Sequence, residues 1–306
     1  MLKNFETIRA LVQKREQRSR LGVVEAQDRH TLEAVHQAWK QELMEPVLYG
    51  KADEIERIWK EIAPGSPLPH VVPCHTKGES VARAIADVRA GGLECIMKGN
   101  VETGVLMKGV VNNQTGICQS KVLSLVGLFE SPYYHKVFGI TDVGLLIHPD
   151  LTQKKALVEN AVNLFHLLGV EHPKVAILAA IEYVNQKMPE TLDAQALKQM
   201  NEEGMITGCT IEGPISYDLC MDQDSAKIKE FKSEVAGDAD ILVVPEIVAG
   251  NLLSKGVEFT GGASTCGIVC GASVPIALVS RAARMEEKLM SIVLASAVGQ
   301  AMAQGR

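Results

Sequence analysis

In the stretch VPIALVSRAARMEEKL, Val274 to Leu289, a hydroxyl, a permanent cation and a carboxylate follow one another out of a short apolar run. Ser280 and Arg281 close the run, and the amphipathic segment after it predicts a helix from about Arg281 to Gln300. A strand-to-helix junction exposes backbone N–H groups and the positive end of the helix dipole, and both favour an anion. Arg281 adds a planar fork that can hold a phosphate or carboxylate through two bonds. The plainer alternative makes Ser280 an N-cap and Arg281 a solvated first-turn residue. An arginine in that turn opposes the dipole, and the chain has no arginine between Arg89 and Arg281, which tilts the reading towards function. Glu287 lies seven residues beyond Ser280, two helical turns, so its carboxylate could share the site and act as a base. Its plainer alternative is a solvent-facing glutamate beside Glu286 and Lys288.

Residues of this kind need a frame. Short apolar runs rich in β-formers recur at 23–27, 46–50, 93–97, 122–130, 136–144, 174–182, 239–248 and 274–280. Helical periodicity fills several intervals: ESVARAIADVRAG, LTQKKALVENAVNLFHLLG with Gly169 as C-cap, DAQALKQMNEEG and DSAKIKEF. Strand–helix alternation with nearly continuous apolar strands predicts an α/β fold with mainly parallel sheets. In such sheets ligands bind beyond the carboxyl ends of the strands. The polar strand ends are MKGN, TDVG, EGPISYD, PEIVAGN and the Ser280-Arg281 pair.

Several chemistries lack their signatures. No GxGxxG follows a strand, and no GxxxxGK[ST] or G-x-S-x-G is present. GGASTCGIVCG (261–271) is glycine-rich, but its spacing suits a turn or close packing. His75, His135 and His148 lack metal-like spacing, and so do the seven scattered cysteines. At 306 residues and 46% hydrophobic, the chain is an ordinary globular protein long enough for two domains. Its net charge of −6 argues against a nucleic-acid partner. The charged N-terminus has no signal-peptide core, no apolar run is long enough to span a bilayer, and the cysteines read as reduced thiols. The expected location is cytoplasmic.

Taken in order, the strand-end blocks resemble the phosphate acetyltransferase and phosphate butyryltransferase family, from about Val23 to Ala295. VVEAQDRHTLEAVHQA and PVLYGKADEI are similar to the family's opening block. EGPISYD, PEIVAGNLLSK and VSRAARMEE resemble motifs of both branches. MKGNVETGVLMKGVVN and PKVAILAAIEYVNQKMPETLDA look like the butyryl branch. The resemblance implies transfer of a short acyl group between coenzyme A and phosphate, in a homodimer or larger homo-oligomer, without a metal or other cofactor. It implies two α/β domains flanking a cleft, an architecture like that of isocitrate and isopropylmalate dehydrogenases. The expected division is residues 1–144 plus 272–306, with 145–271 inserted.

Carried over by motif, Ser280, Arg281 and Glu287 would be catalytic. Lys98, Gly99, Thr103, Ser124, Asp142, Asp218, Asn251 and Lys255 would bind substrate. The chain departs from the family pattern at Leu125, Leu146 and Glu212, which bears on substrate choice. Two rivals remain. One is a metal- and NAD-dependent decarboxylating dehydrogenase, for which only Asp218 and Asp222 have a suitable spacing. The other is a non-catalytic relative that binds coenzyme A or phosphate.

Overall fold

The computed structural model describes residues 1–14, 17–280 and 283–305. They gather into two compact units: residues 5–119 with 266–306, and residues 1–4 with 120–265. The first unit opens with α1 (Phe5–Gln13), β1 (Arg20–Val24), α2 (Arg29–Lys40), β2 (Glu45–Gly50) and α3 (Ala52–Ile62). It continues through β3 (His70–Pro73), α4 (Lys77–Arg89), β4 (Cys95–Lys98) and α5 (Thr103–Val110). β1 pairs in parallel with β2 and β4, and β2 with β3. Leu21, Val23 and Val24 are fully buried, as expected of a strand covered on both faces. Two helices start on side-chain caps: the Asp28 carboxylate accepts from Thr31 N, and Thr76 Oγ1 accepts from Glu79 N.

The second unit contains β5 (Ser124–Glu130), β6 (Phe138–Thr141), α6 (Leu151–Leu167), β7 (Lys174–Leu178) and α7 (Pro189–Glu202). Then come β8 (Thr210–Ile215), α8 (Tyr217–Met221), α9 (Gln223–Ile228), β9 (Ile241–Val243) and α10 (Ile247–Lys255), which runs into a π-helical turn at Gly256–Thr260. Its strand order is β5-β6-β9-β7-β8, parallel except for the β5–β6 pair. Phe129, Phe138, Ile140 and Leu242 lie in its core. Asp150 and Gln153 form a capping box that starts α6.

The chain returns to the first unit through β10 (Ser264–Cys270), β11 (Ile276–Ala277) and α11 (Met285–Ala303). β11 is parallel to β4 and antiparallel to β10. α11 is buried at every residue from Met290 to Ala301 and packs on α1, α2, β4 and β11. A helix apolar on all sides belongs inside a core.

Each unit is therefore α/β with a mixed, mostly parallel sheet, and four details differ from the sequence reading. The unit boundary lies before β5 rather than at residue 144, because β5 pairs with β6 and β6 with β9. Residues 1–4 join the same unit, where Val137 N donates to Leu2 O at 2.9 Å. GGASTCGIVCG is mostly a strand: Gly261, Gly262 and Gly271 flank β10, and only Gly267 lies within it, among the β-formers Thr265, Ile268 and Val269. The last helix starts at Met285, not near Arg281. That start places Glu286 and Glu287 in the first turn, where carboxylates complement the dipole, and keeps Arg284 out of it.

Candidate active site

The first unit shapes a cavity beyond the carboxyl end of β4. Gly99 N donates to Val24 O at 2.9 Å and Asn100 N to Glu25 O at 2.7 Å, so the chain leaving β4 is pinned to the end of β1. A Cβ at Gly99 would lie 2.3 Å from Glu25 O, so this crossing admits only glycine. Glu25 itself is buried with φ of 57°, and its carboxylate accepts from Ser80 Oγ and from Gln27 Nε2. Lys98 is 8% exposed and its ammonium donates to Gly99 O at 3.3 Å and Val101 O at 3.1 Å.

The cavity holds about 210 Å³. Lys98, Gly99 and Asn100 form one side, Asp28, His30 and Thr31 a second, and Val279, Ser280 and Lys288 a third. Asp28 is committed to its cap, accepting from Thr31 N at 2.8 Å and Thr31 Oγ1 at 2.6 Å. Lys288, in the first turn of α11, is 4% exposed. The structure thus brings Ser280 together with Lys98 and Gly99.

Arg281 lies outside the described residues. The two-turn relation between Ser280 and Glu287 does not hold, because Ser280 precedes α11 by five residues and the N-cap position falls to Arg284. Ser280 O instead accepts from Ala283 N at 3.1 Å. Glu287 is in the first turn of α11, with its side chain 14% exposed and 4.0 Å from Arg284 Nε. It is not a solvent-facing charge, nor does it line the cavity. Thr103 is the first residue of α5 and also stands outside the lining.

The second unit uses its candidates differently. Asp142, 2% exposed, accepts from Leu125 N at 3.0 Å, Gly144 N at 2.6 Å and Leu145 N at 2.7 Å. Burial pushes its carboxyl up, against the pull of those N–H donors. This knot fixes the loop that carries Leu146, and Leu125 borders it at Gly144. Asn251 reaches the same loop, 3.5 Å from Val143 O, and a Cβ at Gly250 would lie 2.2 Å from Asp142 O. Ser124 is fully buried and accepts from Asn160 Nδ2 at 3.0 Å.

Asp218 stands in another group. Lys229 Nζ lies 2.9 Å from it and 3.2 Å from Glu182. The Ser216 hydroxyl and Lys229 hold the Asp218 carboxyl below its usual value. Asp222 caps α9 through Ser225 N, so the Asp218/Asp222 spacing serves structure. Glu212 pairs with Lys198 at 2.6 Å, which gives the longer acid a local partner. Lys255 ends α10 with its ammonium 5.9 Å from the Phe259 ring centroid. Among the described residues no group of three or more His, Cys, Asp or Glu could hold a metal ion, and no helix is long and apolar enough to cross a membrane.

Sequence reasoning missed Lys288, Asn100, His30 and Asp28 as cavity residues. The available signal was the pair Glu286-Glu287: read as a helix first turn, it moves the helix start and with it the environment of Lys288.

Known proteins with the same pattern were found by sequence and by structure. The chain matches the phosphate acetyl/butaryl transferase family over residues 68–296. A phosphate acetyltransferase from Thermotoga maritima is 39% identical over 90% of this chain and 94% of that one. A phosphate butyryltransferase from Clostridium acetobutylicum is 36% identical over 97% and 99%. The crystal structure of a branched-chain phosphotransacylase from Enterococcus faecalis is similar with a TM-score of 0.82, at 28% identity, over 92% of this chain and 99% of that one.

Proposed function

Because the chain belongs to the phosphate acetyl/butaryl transferase family and is a phosphate acyltransferase, we propose that it moves a short acyl group of the butyryl type between coenzyme A and inorganic phosphate. The observation that carries the site assignment is the cavity in which Ser280 and the Lys98-Gly99 loop meet. The Met97-Lys98-Gly99 block supports the butyryl branch. A second reading, acetyl transfer, is favoured by the 39% identity to the acetyltransferase.

A coenzyme A thiol is mostly protonated at neutral pH. In our reading Glu287 takes that proton and the thiolate attacks the carbonyl carbon of the acyl phosphate. The C–S bond forms, the C–O bond to phosphorus breaks, and inorganic phosphate leaves. In reverse, a phosphate oxygen attacks the thioester carbonyl, the C–S bond breaks, and the departing thiolate regains its proton from Glu287. Arg281 holds the phosphate and offsets developing charge, Ser280 donates to the same group, and both substrates are bound together. Thr103, Ser124, Asp142, Asp218, Asn251 and Lys255 complete the proposed binding set; the internal bonds of Ser124 and Asp142 suit them to shaping loops. We also propose that the enzyme is a cytoplasmic homo-oligomer that uses no metal or organic cofactor, with an architecture akin to isocitrate and isopropylmalate dehydrogenases.

The test is thiol release from acetyl-, propionyl-, butyryl- and isobutyryl-CoA, with and without phosphate. Phosphate-dependent release fastest with a four-carbon chain is expected. Fastest release with acetyl-CoA would move the assignment to the acetyl branch. No phosphate-dependent release with any of them would favour a non-catalytic relative.

A further inference from the structure

We propose that Glu25 is a positioning residue for the reaction: its buried side chain, anchored on α4, fixes the left-handed turn at the end of β1 and through it the Gly99-Asn100 wall of the cavity. The inference rests on the reading of the chain as a phosphate acyltransferase and adds a residue that acts on the site without touching substrate.

Glu25 leaves β1 with φ of 57°, a conformation that glycine adopts freely and a residue with a Cβ does not. It is also 5% exposed, so its carboxyl group gives up water. A turn alone would be served better by glycine, which carries neither penalty. The side chain offsets them by accepting hydrogen bonds on two sides. Ser80 Oγ donates to it from α4, where Ser80 is fully buried, and Gln27 Nε2 donates at 2.8 Å. The carboxyl group thus ties the end of β1 to the buried face of α4.

The backbone of the same residue meets the site. Glu25 O accepts from Asn100 N at 2.7 Å, and a Cβ at Gly99 would lie 2.3 Å from that oxygen. A carbonyl so placed has little freedom, because turning it breaks the bond to Asn100 N. Lys98, Gly99 and Asn100 line the cavity, whereas Glu25 does not. The connection therefore runs from α4 through Ser80 to the Glu25 carboxyl group, and from the Glu25 carbonyl to the loop.

Glu25→Gly separates the two roles of the residue, because glycine keeps the left-handed backbone and loses only the anchor. It is compared with wild type, Glu25→Gln, Ser80→Ala and the Glu25→Gly/Ser80→Ala double variant. The readouts are kcat/KM for phosphate-dependent release of coenzyme A from the preferred short acyl-CoA, hydrogen exchange at the Asn100 amide, and the urea midpoint. In Glu25→Gly, kcat/KM is expected to fall about 10- to 100-fold, the scale of a misplacement of about 1 Å. The Asn100 amide should exchange about 10-fold faster or more, with the urea midpoint little changed. Ser80→Ala should lose activity in the same direction and add nothing in the Glu25→Gly background, since both remove one anchor. Glu25→Gln should recover most of the loss. Its amide oxygen can accept from Ser80 Oγ, and its NH2 can meet Gln27 once that amide turns over to present Oε1, a buried atom without a partner among the described residues. Wild-type kcat/KM in Glu25→Gly, or an activity loss without faster Asn100 exchange, overturns the proposal. So does a loss matched by a collapse of the urea midpoint, or failure of both Glu25→Gly and Ser80→Ala to fold, which would make Glu25 a structural tether. A wild type with no phosphate-dependent release, whose Asn100 exchange still depends on Glu25, would sink the acyltransferase reading and leave the coupling of Glu25 to the loop standing.

Discussion

In the second unit Lys136, 4% exposed, stands 2.9 Å from Asp238 and 2.7 Å from Asp240. Lys174 and His135 close on the same Asp238 at 2.7 and 2.8 Å. In the first unit Lys98 and Lys288, 8% and 4% exposed, line a cavity of about 210 Å³. Lys136 spends its charge inside the fold, tying the approaches to β6, β7 and β9 together. Lys98 and Lys288 line open volume, and the Lys98 ammonium also donates to Gly99 O and Val101 O. Burial of a cation is therefore ambiguous by itself; the space next to it separates framework from site.

The largest expected effect breaks the framework side. Lys136→Met removes the only ammonium paired with Asp240 among the described residues; that carboxylate, 6% exposed, keeps the Lys174 N donor at 2.8 Å, and Asp238 loses one partner. Loss of one member of a buried pair should lower stability by about 3–5 kcal/mol, read from urea unfolding. A change below about 1 kcal/mol would erase the contrast between the two regions. Next is Arg281→Ala, expected to lower turnover by about 10²–10³, or roughly 2.7–4 kcal/mol, with little change in the unfolding midpoint. Near-normal turnover would remove the phosphate role from Arg281.

A smaller effect concerns acid. Burial works against the charge of Asp238, yet Lys174, Lys136 and His135 hold its carboxyl well below the usual range. A group with a depressed folded pKa contributes stability that is complete above its unfolded value, about 3.9, and is lost as pH falls towards the folded one. Wild-type stability should therefore drop below about pH 4, and more steeply than that of Asp238→Asn. Parallel acid curves for the two proteins would show that the network contributes nothing to the dependence.

Much of this was legible in the sequence. The parallel α/β pattern followed from the apolar strands, and the motif order pointed to the family that the comparisons then established. The local geometry was harder. The run 274–280 reads as a strand ending at Ser280, but β11 covers only Ile276–Ala277 and Ser280 lies three residues past it. Apolar periodicity alone put the helix start near Arg281, because alanines tolerate either state. The acidic pair at 286–287 decided it through the dipole. Asp142 looked like a ligand residue because it is polar at a strand end; only coordinates reveal the three backbone N–H donors that occupy it. Lys288 was invisible for the converse reason, since nothing in its charge or spacing distinguishes a solvated lysine from one buried at a cavity.

The central claim is that the first unit's cavity takes the phosphate in acyl transfer. The most direct measurement is phosphate-dependent release of coenzyme A from butyryl-CoA by wild type and Lys98→Met, with phosphate varied at saturating butyryl-CoA. The account predicts a phosphate KM raised about 10-fold or more in a variant that unfolds at the wild-type urea midpoint. A variant with wild-type phosphate KM and turnover would contradict it.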